Sequence, residues 1–190
     1  MRLIKARVAP LTDGELTPDQ AEALEPVRGG KLGVLNIFRT LAREPKALKA
    51  FNTWGGYVLS RRNGLPARER EIVILRIGYL CKSGYEWTQH HRIGLESGLS
   101  AAEIENIKVG ADAPGWTPAE AALILAADEL NRDHFITDAT WAALGKHFSD
   151  KQRMDVVFTA GQYTQVSMIL NSFGVQLDEG QTLDPDLKGF

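Results

Sequence analysis

Four times along this chain the same helix-start signal recurs. It appears as Thr17-Pro18-Asp19-Gln20, Ser100-Ala101-Ala102-Glu103, Thr117-Pro118-Ala119-Glu120 and Ser149-Asp150-Lys151-Gln152. In each, a hydroxyl residue stands three positions ahead of a Glu or Gln. At that spacing the two side chains satisfy backbone N–H groups that a helix start leaves without partners. Behind the last two come apolar residues at helical spacing: Ala121, Leu123, Ile124, Ala127 and Leu130, then Met154 through Phe173. No convincing alternating strand interrupts this pattern, so the fold class is all-α.

The remaining elements follow from punctuation and periodicity. Residues 1–16 are irregular: Arg2-Leu3-Ile4 and Ala6-Arg7-Val8 are candidates for extended backbone, broken by Pro10, Asp13 and Gly14. A short helix from Thr17 reaches about Leu24, and Pro26 with Gly29-Gly30 ends it. Residues 1–32 read as an arm on the main body, 33–174 as the helical domain and 175–190 as a tail. Leu35 to Arg43 forms a short helix. Pro45 begins a longer one carrying Leu48, Phe51, Trp54, Tyr57, Val58 and Leu59, and Asn63-Gly64 stops it. Gly55-Gly56 weakens its centre by about 1 kcal/mol per glycine relative to alanine. The pair marks either close helix packing or room for a ligand.

After Leu65-Pro66, the turn Arg68-Glu69-Arg70-Glu71 leads into Ile72-Val73-Ile74-Leu75, Ile77 and Leu80. Apart from Arg76 this segment is apolar nearly all round, which predicts a central helix. Its β-branched residues make a strand the competing reading for 72–77; continuity with the polar start favours helix. Arg70 and Glu71 lie at the edge of that core. Either they form a buried ion pair or one of them reaches a site. Thr137 or Asp138 caps a helix carrying Trp141, Leu144 and Phe148. Gly174 ends the last helix, and the tail, with Val175, Leu177, Leu183, Leu187 and Phe190, is expected either to fray or to lie over a neighbouring subunit.

Chemistry gathers between Cys81 and Gly98. This stretch holds the one cysteine, two of the four histidines, Glu86 and Trp87. From Tyr85 it reads as a helix, with Gly98 at its C-terminal end. Glu86 and His90, four apart, leave the same face one turn apart. A carboxylate bonded to one ring nitrogen fixes the imidazole tautomer and leaves the other nitrogen to exchange a proton near neutral pH. The alternative is a solvated (i, i+4) pair.

Tyr85-Glu86-Trp87-x-x-His90, followed by x7-Gly98-Leu99-Ser100 and preceded by Leu65-Pro66-Ala67-Arg68-Glu69-Arg70-Glu71, resembles the carboxymuconolactone decarboxylase family and its AhpD-like relatives. The resemblance spans roughly residues 30–175. It implies an all-helical, oligomeric protein (dimer, trimer or hexamer) with its site between packed helices. The thiol peroxidase branch resembles Cys-x-x-Cys-x-x-x-His; its cysteines fall on Ser83 and Glu86 here, and no second thiol exists to close a disulfide. The decarboxylase branch carries the Glu-Trp-x-x-His that this chain keeps.

The resemblance therefore implies a cofactor-independent lyase acting on a small lactone or cyclic carboxylic acid. His90, oriented by Glu86, carries the proton, and His91 assists or holds the carboxylate. Trp54, Trp87 and Tyr163 are assigned to the pocket wall, with Arg70 and Gln162 as further substrate contacts. Gln162 and Tyr163 either line the pocket or satisfy each other or a backbone carbonyl. Two further readings stand beside this one: a peroxide-reducing protein using Cys81 with an external thiol, and a non-enzymatic binding protein.

Bulk properties remove other classes. A formal charge of −2 gives no reason to invoke nucleic acid or an anionic membrane. There is no His-Glu-x-x-His and no Cys pair, and His91 points about 100 degrees from His90, so no metal is expected. No dinucleotide or phosphate loop occurs, and no cofactor is assigned. One cysteine, no signal-peptide pattern and no apolar run of about 18 residues make the expectation a cytoplasmic protein.

Overall fold

A computed structural model describes residues 3–29 and 33–189. Among these the regular structure is helical and no strand occurs. The α-helices are α1 (Pro18–Leu24), α2 (Asn36–Leu41), α3 (Pro45–Val58), α4 (Ala67–Leu80), α5 (Gly84–Glu96), α6 (Ala101–Val109), α7 (Pro118–Asp133), α8 (Asp138–Gly145) and α9 (Asp150–Phe173). Short 3-10 turns occupy Asp13–Glu15, Glu25–Val27 and Pro185–Leu187. Thr17, Ser100, Thr117 and Ser149 all form reciprocal capping boxes. The expectations for Arg2, Gly30, the 32/33 boundary and Phe190 fall outside the described residues.

Helix α4 is the axle. Every residue from Glu71 to Gly78 is buried, and α5, α7 and α9 pack around it. The β-branched run is helical because a buried segment must pair each backbone N–H and C=O. A helix does so internally, whereas a strand would need a neighbouring strand, and none occurs among the described residues. Arg76, the polar exception, is tied down by Asp128 Oδ1 at 2.5 Å and by the carbonyls of Ile107 and Lys108 at 2.7 and 2.9 Å.

The arm and the tail share this core. Leu11, Ala23, Leu24, Val175 and Leu187 are all buried in it. The arm crosses the end of α9, where the N–H groups of Arg7 and Val8 donate to the Phe173 carbonyl at 2.8 and 3.1 Å. Gly174 has φ +67°, and a Cβ there would come within 2.9 Å of the Lys5 carbonyl oxygen, so both geometry and space require glycine.

The tail corrects the expectation of a frayed or crossed-over segment, since it folds back over its own helices. Asp178 Oδ1 accepts from the Asn36 N–H at 2.8 Å, and Oδ2 accepts from the Tyr85 hydroxyl at 2.6 Å and Gln89 Nε2 at 2.9 Å. Asp184 Oδ2 accepts from Trp87 Nε1 at 3.1 Å and Lys108 Nζ at 2.9 Å. Its scattered apolar residues cover the body because those acceptors anchor it there. On α8, Thr140 and Leu144 are buried, whereas Trp141 is 36% exposed with the Arg153 guanidinium 4.5 Å over its ring.

Candidate active site

Helices α2, α3, α5 and α9, with Pro26 and Val27 of the arm, enclose a cavity of about 380 Å³. Its wall is mostly apolar, with Ile37, Phe38, Phe51, Ile93 and Val166 contributing. Glu86, Gln89 and His90 enter from α5 because positions i, i+3 and i+4 share one helical face. Gln162 and Tyr163 enter from α9, and Gly55 and Gly56 from α3.

The glycine pair lines this cavity and so leaves open space there. A Cβ on Gly55 would lie 3.7 Å from Gln162 Nε2, and one on Gly56 would meet nothing within 4 Å. Gly55→Ala is expected to raise stability by up to about 1 kcal/mol through helix propensity, read by urea unfolding. Gly55→Leu is expected to raise KM by crowding the cavity while leaving the fold intact.

The polar core of the site is a sandwich. His90 Nδ1 lies 2.7 Å from Glu71 Oε2, reaching across from α4, and His90 Nε2 lies 3.1 Å from Glu86 Oε1. The Nε2 contact is a close charge pairing whose alignment falls short of a hydrogen bond. Glu86 Oε1 therefore has no hydrogen-bond partner among the described residues. The residue that orients His90 is accordingly Glu71, where the sequence reading assigned Glu86. The supposed Arg70–Glu71 ion pair does not form, because the Glu71 carboxylate is committed to the imidazole.

Tyr163 packs edge-on against His90, ring centroids 4.8 Å apart. All three sandwich residues are nearly inaccessible: Glu71 1%, Glu86 4% and His90 6%.

Electrostatics follow from that burial. Two carboxylates and one imidazolium would leave a buried net negative charge. Burial pushes the Glu86 carboxyl up to about 7; His90 pulls it down and Glu71 adds to the rise. Burial disfavours a charged His90 ring, but Glu71, by charge and hydrogen bond, and Glu86 outweigh it and hold the imidazole up at about 9. Near neutrality the ring is therefore cationic and Glu86 is the group that changes state. Burial, with the charges of Glu86 and Glu71, pushes the Tyr163 phenol well above its usual range, so it stays neutral.

Other assigned residues lie elsewhere. Arg70 does not line the cavity; Nη1 approaches the Ser60 carbonyl at 3.4 Å, and its charge opposes protonation of His90 from a distance. His91, half-buried, is outside the lining because it leaves α5 on a different face. Trp54 is 41% exposed and stacks on Tyr57 at 5.5 Å. Trp87 is buried beneath the tail against Tyr79. Both tryptophans are at helical spacing from pocket residues but on the wrong side of their helices.

Cys81 borders a separate recess with Leu3, Arg7, Met168, Asn171 and Ser172, away from His90. Sequence reasoning missed Asn52 and Gln89. The (i, i+3) spacing from Glu86 was the available signal for Gln89, whereas nothing local marked Asn52.

The sequence profile of the carboxymuconolactone decarboxylase family matches residues 45–129, from α3 to within α7. That stretch includes the helix carrying Glu86 and His90, and over it the chain is similar to the carboxymuconolactone decarboxylase family. Solved structures repeat the same helical architecture. An uncharacterised peroxidase-related protein with an alkylhydroperoxidase AhpD core from Ralstonia eutropha superposes with a TM-score of 0.80 at 20% identity, over 92% of this chain and 93% of that one.

A peroxidase-related protein from Silicibacter sp. superposes with a TM-score of 0.74 at 15% identity, over 99% and 94%. The apo form of the debrominase Bmp8 does so with a TM-score of 0.75 at 12% identity, over 93% and 95%. At such identities the likeness is one of fold. No curated protein matches the chain by sequence. Among the described residues, no helix is long and apolar enough to cross a membrane, and no cluster of three or more His, Cys, Asp or Glu is arranged to hold a metal ion.

Proposed function

We propose that the chain is a cofactor-independent acid–base lyase that decarboxylates a small lactone or cyclic carboxylic acid. The observation that carries this reading is the Glu71–His90–Glu86 sandwich in the wall of an apolar cavity of about 380 Å³. When the bond to the carboxylate breaks, carbon dioxide leaves and the electron pair stays on carbon, delocalised as an enolate-like species. The apolar wall disfavours the charged ground state. Protonated Glu86 delivers a proton to that carbon. His90, held cationic by Glu71, stabilises the negative charge then left on Glu86 and resupplies the proton through Nε2.

Arg92, in the cavity lining and paired with Glu96 at 2.8 Å, is the cation an incoming carboxylate would meet. His90 is thus a charge and proton reservoir, and Glu86 is the group in contact with substrate.

The test is carbon dioxide release from carboxymuconolactone by the purified chain. No release would remove this substrate; release that survives loss of both Glu86 and His90 would move the chemistry elsewhere. Tight binding of the lactone acid without turnover, surviving Glu86→Gln, would indicate a binding protein. The position of Cys81 favours no thiol chemistry at this cavity. Cys81→Ser is expected to leave carbon dioxide release unchanged, measured by initial rates.

A further inference from the structure

The wall of the cavity carries amide groups that the proposed proton transfer does not use. Gln89 is the most tightly specified. Its Nε2 donates to Asp178 Oδ2 at 2.9 Å and to Gln181 Oε1 at 3.0 Å, so the two amide hydrogens are spent on the tail. Its Oε1 is left buried and without a partner among the described residues. The amide cannot turn over without bringing Oε1 against the Asp178 carboxylate, which only accepts hydrogen bonds. Asp178 itself is pinned on both oxygens, by the Asn36 N–H and the Tyr85 hydroxyl.

Two more amides, Gln162 on α9 and Asn52 on α3, also line the cavity with an unpaired buried atom, Oε1 and Nδ2 respectively. The rest of the wall is largely apolar. A buried acceptor without a partner is costly, and a ligand donor removes that cost.

We propose that Gln89 Oε1 accepts a hydrogen bond from an O–H or N–H group on a small ring compound in the cavity, and that the C-terminal tail, through Asp178, sets this polarity. The proposal rests on the cavity being the substrate site, not on the reaction that follows. It narrows the ligand class to small rings, cyclic acids and lactones among them, that bear a hydroxyl or ring N–H. Carboxymuconolactone, ionised at pH 7, brings no such donor and is expected to bind without this contact. Gln89 is the specificity-determining contact and Asp178 the positioning residue behind it. Discrimination arises because a methylated isostere brings no donor and leaves Oε1 unpaired.

The test uses the full chain and matched probes: phenol against anisole, and 2-piperidone against N-methyl-2-piperidone, titrated by calorimetry at pH 7. The donor-bearing member of each pair is expected to bind about tenfold or more tightly, as for other sites built around a polar contact. Gln89→Met is expected to bring both ratios close to one. Asp178→Asn offers Gln89 an amide N–H, letting its own amide turn. That variant is expected to lose the preference for phenol and to gain affinity for cyclohexanone, a pure acceptor. A merely structural role for Asp178 would weaken every probe alike.

Equal binding of the paired probes by wild type, binding of neither, or a preference that survives Gln89→Met would overturn the proposal. Because the readout is binding, it separates from the lyase reading. Absent carbon dioxide release with the preference intact would sink only the reaction, and release without any preference would sink only this assignment.

Discussion

Glu86→Gln lowers kcat for carbon dioxide release by about 100-fold or more, the range for a lost acid–base group, with KM little changed. Glutamine keeps the shape and the burial but carries no transferable proton. The same experiment has a pH signature. Burial, with Glu71 adding and His90 opposing, sets the Glu86 carboxyl at about 7, so its acid form is present below that pH and lost above it. The wild-type kcat therefore falls as pH rises through about 7, and the Glu86→Gln profile is flat across that range. Initial rates between pH 5.5 and 8.5 check both. A wild-type rate that instead rises through neutrality would mean that Glu86 works as a base, and the order of proton transfer would have to be reversed.

His90→Ala destabilises the fold by about 3–5 kcal/mol near neutral pH, the usual cost of removing one partner from a buried ion pair. It leaves Glu71 and Glu86 facing each other with no cation between them. The pH dependence fixes the sign. In the wild type the folded His90 value of about 9 lies above the ordinary 6.5, so its stabilisation is complete below about 6.5 and is lost as pH rises through 9. The raised Glu86 value acts in the same direction, with stability present below about 4.5 and lost as pH rises through 7.

In His90→Ala the stranded carboxylates are relieved only by protonation. The deficit relative to wild type is therefore smallest near pH 5 and widens toward pH 8. It narrows again above pH 9, where the wild type loses its own imidazolium. Urea unfolding at these pH values measures the difference. A deficit independent of pH would mean that His90 contributes packing against Tyr163 and little charge.

Local signals in the chain carried the architecture. The capping boxes at Thr17, Ser100, Thr117 and Ser149 stand where the helices begin, because the partner of each orphan N–H is only three residues away. The apolar run from Ile72 to Ile77 announced the central helix, since burial on every side leaves few polar positions. The site was legible where it was local too: Glu86 and His90 share a face of one helix, and Gly55-Gly56 opened the possibility of space.

Misassignments arose wherever orientation depended on another element. Trp54 and Trp87 look like pocket aromatics by composition, but one stacks outward on Tyr57 and the other is buried beneath the tail. His91 follows His90 in sequence yet lies off the cavity wall.

From the order of residues alone came the helical class, the helix boundaries and the pairing of Glu86 with His90. All of these depend on contacts within about one or two helical turns. Tertiary structure alone decided that Glu71, nineteen residues upstream, holds the imidazole, that Asp178 reaches back across the chain to orient Gln89, and that Cys81 borders a different recess. These are contacts between separate helices, or between a helix and the tail. They are set by how apolar faces pack around α4, and no local spacing encodes which polar groups that packing leaves opposite one another.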